Sequence, residues 1–184
     1  MGVKVLESRR VYSGRTVGLR VERVSVNGRV VLREIVEHRG AVVIIPLRDD
    51  GRLVLVRQYR RPVDEEVLEF PAGTLELGEE PEGCARRELL EETGHEALSL
   101  ERLATVYPAP GYSEESMHIF FARAVPKSGP TPEDDEELRV VTLTLEELIG
   151  MVLSGEVRDA KTIVGAFLLR ERLERAHRPA AGFR

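Results

Sequence analysis

Over residues 16–26, Val17, Leu19 and Val21 alternate with polar neighbours, and Val24 and Val26 continue after a change of register. Successive side chains of a strand point to opposite faces, so this spacing predicts a half-buried strand. Asn27-Gly28 is the dipeptide of a tight hairpin turn, and residues 29–37 are expected to return as the second arm. Residues 41–46 form a continuous apolar run, the pattern of a strand buried on both faces. Asp49-Asp50-Gly51 marks the next turn. Residues 52–59 follow as another strand, in which Leu53, Leu55 and Arg57 alternate with Val54 and Val56. Later strands are expected at 98–107, 118–125 and 138–142.

Elsewhere the apolar spacing becomes helical. A helix is expected over 81–93, opened by Pro81 at a first-turn position and stopped by Gly94. A second runs from Thr144 to about residue 153, with Thr144 and Glu147 in capping-box spacing. A third covers 160–177, capped by Asp159, with Ile163, Phe167 and Leu168 recurring on one side. Hairpins with few interspersed helices predict an α/β (α+β) sandwich and argue against a doubly wound parallel sheet. Residues 125–137, rich in Pro and acid, read as a loop, and the tail from Arg178 as a frayed end.

Composition narrows the class. A chain of 184 residues, 42% apolar, is enough for one domain with its own core. The apolar run at 41–47 is too short to span a bilayer. The first ten residues are polar and do not resemble a signal peptide, so the expectation is a cytoplasmic protein with no membrane partner. A net charge of −5 gives no global basic footprint for nucleic acid. The lone Cys84 excludes an intrachain disulfide framework and reads as a small buried helix residue. Asn27 and Gln58 are the only side-chain amides, and Arg and Glu abound, a mixture associated with heat-adapted proteins.

The chemistry is concentrated in residues 73–95. On a helix, Glu88, Glu91 and Glu92 are spaced i, i+3 and i+4, so their side chains share one face. Like charges so placed repel by a few tenths of a kcal/mol per exposed pair, roughly. A solvated acidic face would be the bland explanation. A bound hard cation, Mg²⁺ or equally Mn²⁺, explains why three carboxylates are gathered behind a glycine loop. The opposite face carries Cys84, Ala85 and Leu89, small or apolar and suited to docking on a sheet.

The full spacing, G-x5-E-x7-R-E-L-x-E-E-x-G from Gly73 through Glu79, Arg87, Glu88, Leu89, Glu91 and Glu92 to Gly94, resembles the signature of the Nudix hydrolases. It departs at His95, where the family usually has an aliphatic residue. The resemblance implies a Nudix α/β/α sandwich with a mixed sheet and, here, an N-terminal antiparallel hairpin extension. It also implies divalent-metal-dependent hydrolysis of a nucleoside diphosphate linked to another moiety. By that resemblance Glu88 and Glu92 ligate metal, Glu91 assists, and the Ala72 carbonyl is a further ligand. Arg87 and Glu79 resemble the family's structural ion pair, and His95 is expected to affect local packing.

The flanks resemble one subfamily, the ADP-ribose pyrophosphatases. Tyr107-Pro-Ala-Pro-Gly-Tyr-Ser113 follows the motif, with Pro110 sixteen residues after Gly94, and resembles that subfamily's substrate loop; Pro110 and Gly111 are its candidate contacts. Residues 56–62, 69–73 and 33–41 resemble the same subfamily. They place Arg33 and Arg60 where relatives contact phosphate or ribose, a role that suits a guanidinium fork. The resemblance implies that ADP-ribose is cleaved to AMP and ribose 5-phosphate. The general base is expected on the acidic loop 133–137; two registers compete, Glu136 and Asp134, and Glu136 is preferred because it reaches further. Other nucleotide sugars or NADH are the alternative substrates. A non-catalytic ligand sensor is the remote alternative, and such modules tend to lose the glutamates retained here. The subfamily's dimers exchange N-terminal strands, so residues 1–38 are expected to form a dimerisation and substrate-site extension, with 39–178 as the catalytic domain. Tyr12 is a candidate for stacking on adenine.

Overall fold

The structure is a computed structural model that describes residues 2–131 and 138–177. Three strands, β1 (Val3–Ser13), β2 (Gly18–Val26) and β3 (Arg29–Glu37), form a separate antiparallel meander in the order β1-β2-β3. Asn27 and Gly28 turn β2 into β3 with φ of 52° and 79°. Both lie in the left-handed region that a two-residue hairpin of matching twist requires. Strand β1 was not expected. Its residues are exposed throughout, and register shifts between Val5 and Glu7 and between Arg10 and Tyr12 erase the period of two.

The core lies in the second sheet. Strand β4 (Ala41–Leu47) is central and buried over its first six residues. The order is β10-β5-β4-β9-β8, from β10 (Leu138–Leu143) and β5 (Leu53–Arg60) to β9 (Met117–Pro126) and β8 (His95–Val106). Among the described residues of this sheet β4 and β9 pair parallel, and the other strand pairs are antiparallel. Strands β4 and β5 are paired only at Leu47 and Leu53. Beyond that point they part, and β6 (Glu65–Glu69) pairs with β5 while β7 (Ala72–Thr74) pairs with β4. These two short strands carry no readable periodicity, and Phe70-Pro71 separates them.

The alternation of β4 explains the layers. Val42 and Ile44 join Cys84, Ala85, Leu89, Phe120 and Ala122 beneath α1 (Pro81–Thr93). Val43 and Ile45 join Phe70, Ile119, Leu148, Ala166 and Leu169 beneath α2 (Leu145–Leu153) and α3 (Ala160–His177). Burial of a Leu or Phe side chain stabilises by about 1.5–3 kcal/mol, so these two clusters hold the helices to the sheet. The result is an α/β/α sandwich with a mixed sheet and an antiparallel N-terminal extension, as the apolar pattern and the resemblance together predict. Helix ends follow the predicted chemistry. Thr144 and Glu147 form the reciprocal capping box, Asp159 accepts from the Thr162 amide at 2.9 Å, and Gly94 closes α1 at φ 70°.

Candidate active site

The parting of β4 and β5 opens a cavity of about 750 Å³, in the range of small-molecule sites. One wall is β7 with the polar face of α1. Ala72, Gly73, Glu88, Glu91 and Glu92 all line it. The helix lies so close to the strand that a Cβ on Gly73 would sit 1.9 Å from Oε1 of Glu88. Only glycine leaves room for that carboxylate. Glu92 is 4% exposed, and its Oε2 accepts from the Ala72 amide at 3.2 Å.

Arg87 organises the carboxylates from behind. Its Nε and Nη2 each donate to Glu79 at 3.0 Å, forming a two-pronged tie between the loop and α1. Its Nη1 donates to Glu88 at 2.8 Å and to Glu91 at 3.0 Å. The Arg87 hydrogen bonds lower the Glu79 pKa to about 2, and the same bonds raise that of Arg87. Cys84, packed beneath, has its thiol pKa pushed up to about 12, first by burial and then by Glu79; it is a packing residue. Among the described residues no three Asp, Glu, His or Cys side chains converge on a single point. Glu88 and Glu91 are instead drawn onto the Arg87 guanidinium. The donor set nevertheless fits a hard divalent cation. It is made of carboxylate and backbone carbonyl groups on one wall, the oxygen donors that such a cation takes.

The opposite end of the cavity is cationic. Arg60, at the end of β5, donates to both oxygens of Glu69 at 2.7 and 2.9 Å. Lys161, in the first turn of α3, bonds the same carboxylate and also Asp159, the latter at 2.9 Å. Glu69 is only 2% exposed. Burial raises its pKa, but Arg60 and Lys161 outweigh burial and leave it lowered. This buried carboxylate holds two cations facing the cavity, which both of them line. The sequence suggested Arg60 but neither Lys161 nor the holding role of Glu69, because 92 residues separate these two.

Other candidates lie elsewhere. Arg33 is exposed on β3, where its Nη1 donates to the Leu32 carbonyl at 3.1 Å. Pro110 and Gly111 sit in a turn in which Tyr112 and Ser113 donate to the Ala109 carbonyl. That loop is tied to β3 by hydrogen bonds from the Val36 amide to Tyr112 and from the Glu114 amide to Val36. Arg33, Pro110, Gly111 and Tyr12 do not line the cavity. His95 is buried where β8 begins, and its Nδ1 donates to the Thr93 carbonyl at 2.9 Å. Its Nε2 has no hydrogen-bond partner among the described residues, and the side chain does not reach the cavity. Glu136 and Asp134 lie outside the described residues. Just ahead of them, the Thr131 amide donates to the Glu91 carbonyl at 2.7 Å, which returns the chain to α1.

A glutamate-bearing helix docked behind a glycine strand, on a sandwich of this topology, is the arrangement of a Nudix domain. Residues 37–164 match the NUDIX domain family, and the chain belongs to it. An ADP-ribose pyrophosphatase of Bacillus subtilis (strain 168) is 41% identical over 162 residues, covering 86% of this chain and 88% of that protein. A methanol dehydrogenase activator of Bacillus methanolicus is 37% identical over 164 residues, covering 88% of this chain and 89% of its own. A solved structure described as an ADP compounds hydrolase superposes with a TM-score of 0.84 at 27% identity, covering 97% of this chain and 98% of the other.

Proposed function

We propose that this protein is a Mg²⁺-dependent pyrophosphatase that hydrolyses ADP-ribose to AMP and ribose 5-phosphate. The observation that carries the reading is the two-walled cavity, with Glu88, Glu91 and Glu92 on one side and Arg60 and Lys161 on the other. A diphosphate is the ligand that needs both walls: its charge is matched by the guanidinium fork, and its metal partner by the carboxylates. The relatives named above supply the choice of ADP-ribose among diphosphates.

Glu88, Glu92 and the Ala72 carbonyl would hold Mg²⁺, with Glu91 assisting; Mn²⁺ would satisfy the same oxygens. When bound, such an ion neutralises the diphosphate and lowers the pKa of a coordinated water. The chain's own residues do the rest. Arg60 forks onto phosphate oxygens, and Glu69 keeps it from collapsing onto the glutamate wall. Glu136 takes the proton from the attacking water, with Asp134 as the competing register. Water adds to phosphorus as the bond to the bridging oxygen breaks. Arg33 and the Pro110–Gly111 loop, tied together through β3, complete the substrate site. We further propose a homodimer in which residues 1–38 form the shared extension of a catalytic domain spanning 39–178.

The test is turnover of ADP-ribose, ADP-glucose, NADH and deoxynucleoside triphosphates with Mg²⁺. ADP-ribose is expected to give the highest kcat/KM, and a higher value for any other member overturns the substrate assignment. Glu92→Gln is expected to lower kcat by roughly two orders of magnitude or more with the fold retained. Near-wild-type turnover would remove Glu92 from the site.

A further inference from the structure

Among the described residues five cationic side chains line the cavity, and the roles above use only part of them. Arg60 and Lys161 are held by Glu69, and Arg87 by Glu79, Glu88 and Glu91. The remaining two, Arg15 and Arg39, come from the opposite edge. Arg15 lies in the turn between β1 and β2, closed by a hydrogen bond from Gly14 N to Val17 O at 2.9 Å. Arg39 lies between β3 and β4. Its Nη2 donates to the Arg15 carbonyl at 3.4 Å, and it has no carboxylate partner among the described residues.

Strand register fixes where these residues stand. Strand β7 runs antiparallel to β4, with Thr74 opposite Ala41, Gly73 opposite Val42 and Ala72 opposite Val43. Arg39 is two residues before Ala41, so it stands at the Thr74 end. The carboxylate that holds Arg60 and Lys161 is three residues before Ala72, so that pair stands at the other end. Glu88 presses on Gly73 between them. A diphosphate centred at the glutamates therefore meets a fixed cationic pole on one side and, on the other, a guanidinium that no carboxylate among the described residues claims. An arginine spent on a surface ion pair would turn away from the cavity and toward a carboxylate.

We propose that Arg39, buttressed by the Arg15 turn, is a binding residue for the phosphoryl group of the diphosphate substrate that lies farther from Arg60. This rests on the reading of the cavity as a pyrophosphatase site and extends it. The second phosphoryl group is gripped by the same chain, at the junction between the N-terminal sheet and the catalytic sheet. The N-terminal sheet thereby contributes to the site directly, through the turn that supports Arg39.

The experiment compares wild type with Arg39→Ala and Arg39→Lys, using whichever diphosphate the wild type cleaves best. Binding of α,β-methylene ADP-ribose, which is not cleaved, is measured by calorimetry beside it. Losing hydrogen bonds to a charged group predicts a rise in KM of about ten-fold or more in Arg39→Ala. Dissociation of the analogue should weaken by the same factor, kcat should stay within about two-fold, and Arg39→Lys should recover part of the loss. Binding of adenosine, which carries no phosphate, should not change. An unchanged KM and an unchanged analogue affinity in Arg39→Ala overturn the proposal; so does an equal loss for adenosine, which would place Arg39 on the nucleoside. If the wild type prefers a diphosphate other than ADP-ribose, the substrate assignment fails, while the ratio for Arg39 is still read on that diphosphate.

Discussion

A methyl group at position 73 would overlap Oε1 of Glu88 at 1.9 Å and its Cδ at 2.0 Å, so the side chain of Glu88 would have to swing away. The atom that must move is the end of a flexible side chain, so the fold survives Gly73→Ala and the site does not. Displacing the carboxylate proposed to hold the metal by about 1 Å is expected to lower kcat by about 10²-fold, while thermal unfolding changes little. A fall in stability matching the fall in rate would show that Gly73 serves the fold alone. Position 94 contrasts with this. Its φ is 70° and a Cβ there would lie 2.3 Å from the Ser128 carbonyl oxygen, so it is a structural glycine. The competing registers of the acidic loop are separated at the same scale. Glu136→Gln is expected to lower kcat by about 10²–10⁴-fold, with Asp134→Asn near wild type; the reverse pattern assigns the base to Asp134. The glutamates of α1 were legible in the sequence because helical geometry converts their spacing directly into a shared face. Lys161, Glu69 and Arg39 were not, because the topology that brings them to one cavity joins segments far apart in the chain.

At the scale of elements, α1 is held mostly from outside itself. Its N-cap residue Glu80 makes no side-chain cap, and its last turn carries no basic residue to offset the helix dipole. What fixes it is the buried row of Cys84, Ala85 and Leu89 and the Arg87–Glu79 tie. The tie has a pH signature. Its folded-state pKa of about 2 lies below the ordinary 4.5, so the stabilisation is complete above about 4.5 and is lost as pH falls toward 2. Unfolding midpoints measured in urea from pH 6 to pH 2.5, with chelator present, should decline more steeply in wild type than in Glu79→Gln. Parallel curves would show that the tie contributes nothing to folding. Glu69 is lowered as well, so the difference between the two proteins isolates Glu79. The bounds of α1, α3 and β3 could be read from the sequence because Pro81, Gly94, Asp159 and Asn27-Gly28 punctuate them. Strand β1 could not, since its register shifts leave no alternation and burial supplies no apolar face.

The whole molecule is two sheets of unequal standing. The catalytic sheet is covered on both faces by helices, whereas the meander of β1, β2 and β3 carries exposed apolar side chains on each of its faces. Register places Val3 and Val5 beside Val26 and Val24 on one face, and Val30 and Leu32 beside Ser25 and Arg23 on the other. Val5 is 52% exposed and Leu32 is 62% exposed. Soluble monomers rarely leave contiguous apolar surface of this kind in water, so a second copy of the chain is the expected cover. The meander is also bound to the loop that follows Pro110. Arg20 donates to Glu114 at 2.7 Å and to Glu37 at 3.3 Å, and Arg10 donates to Glu37 at 3.0 Å. Sedimentation at micromolar concentration should give a species of about twice the 20.6 kDa chain mass. Val5→Glu and Leu32→Glu place a charge on one face each, and the variant that dissociates identifies the buried face. That variant should also lose kcat/KM on dilution if the shared extension completes the site, with the loss tracking the monomer fraction. A wild type that sediments as a monomer at every concentration, or a dissociated variant with undiminished kcat/KM, would leave the active site complete within one chain.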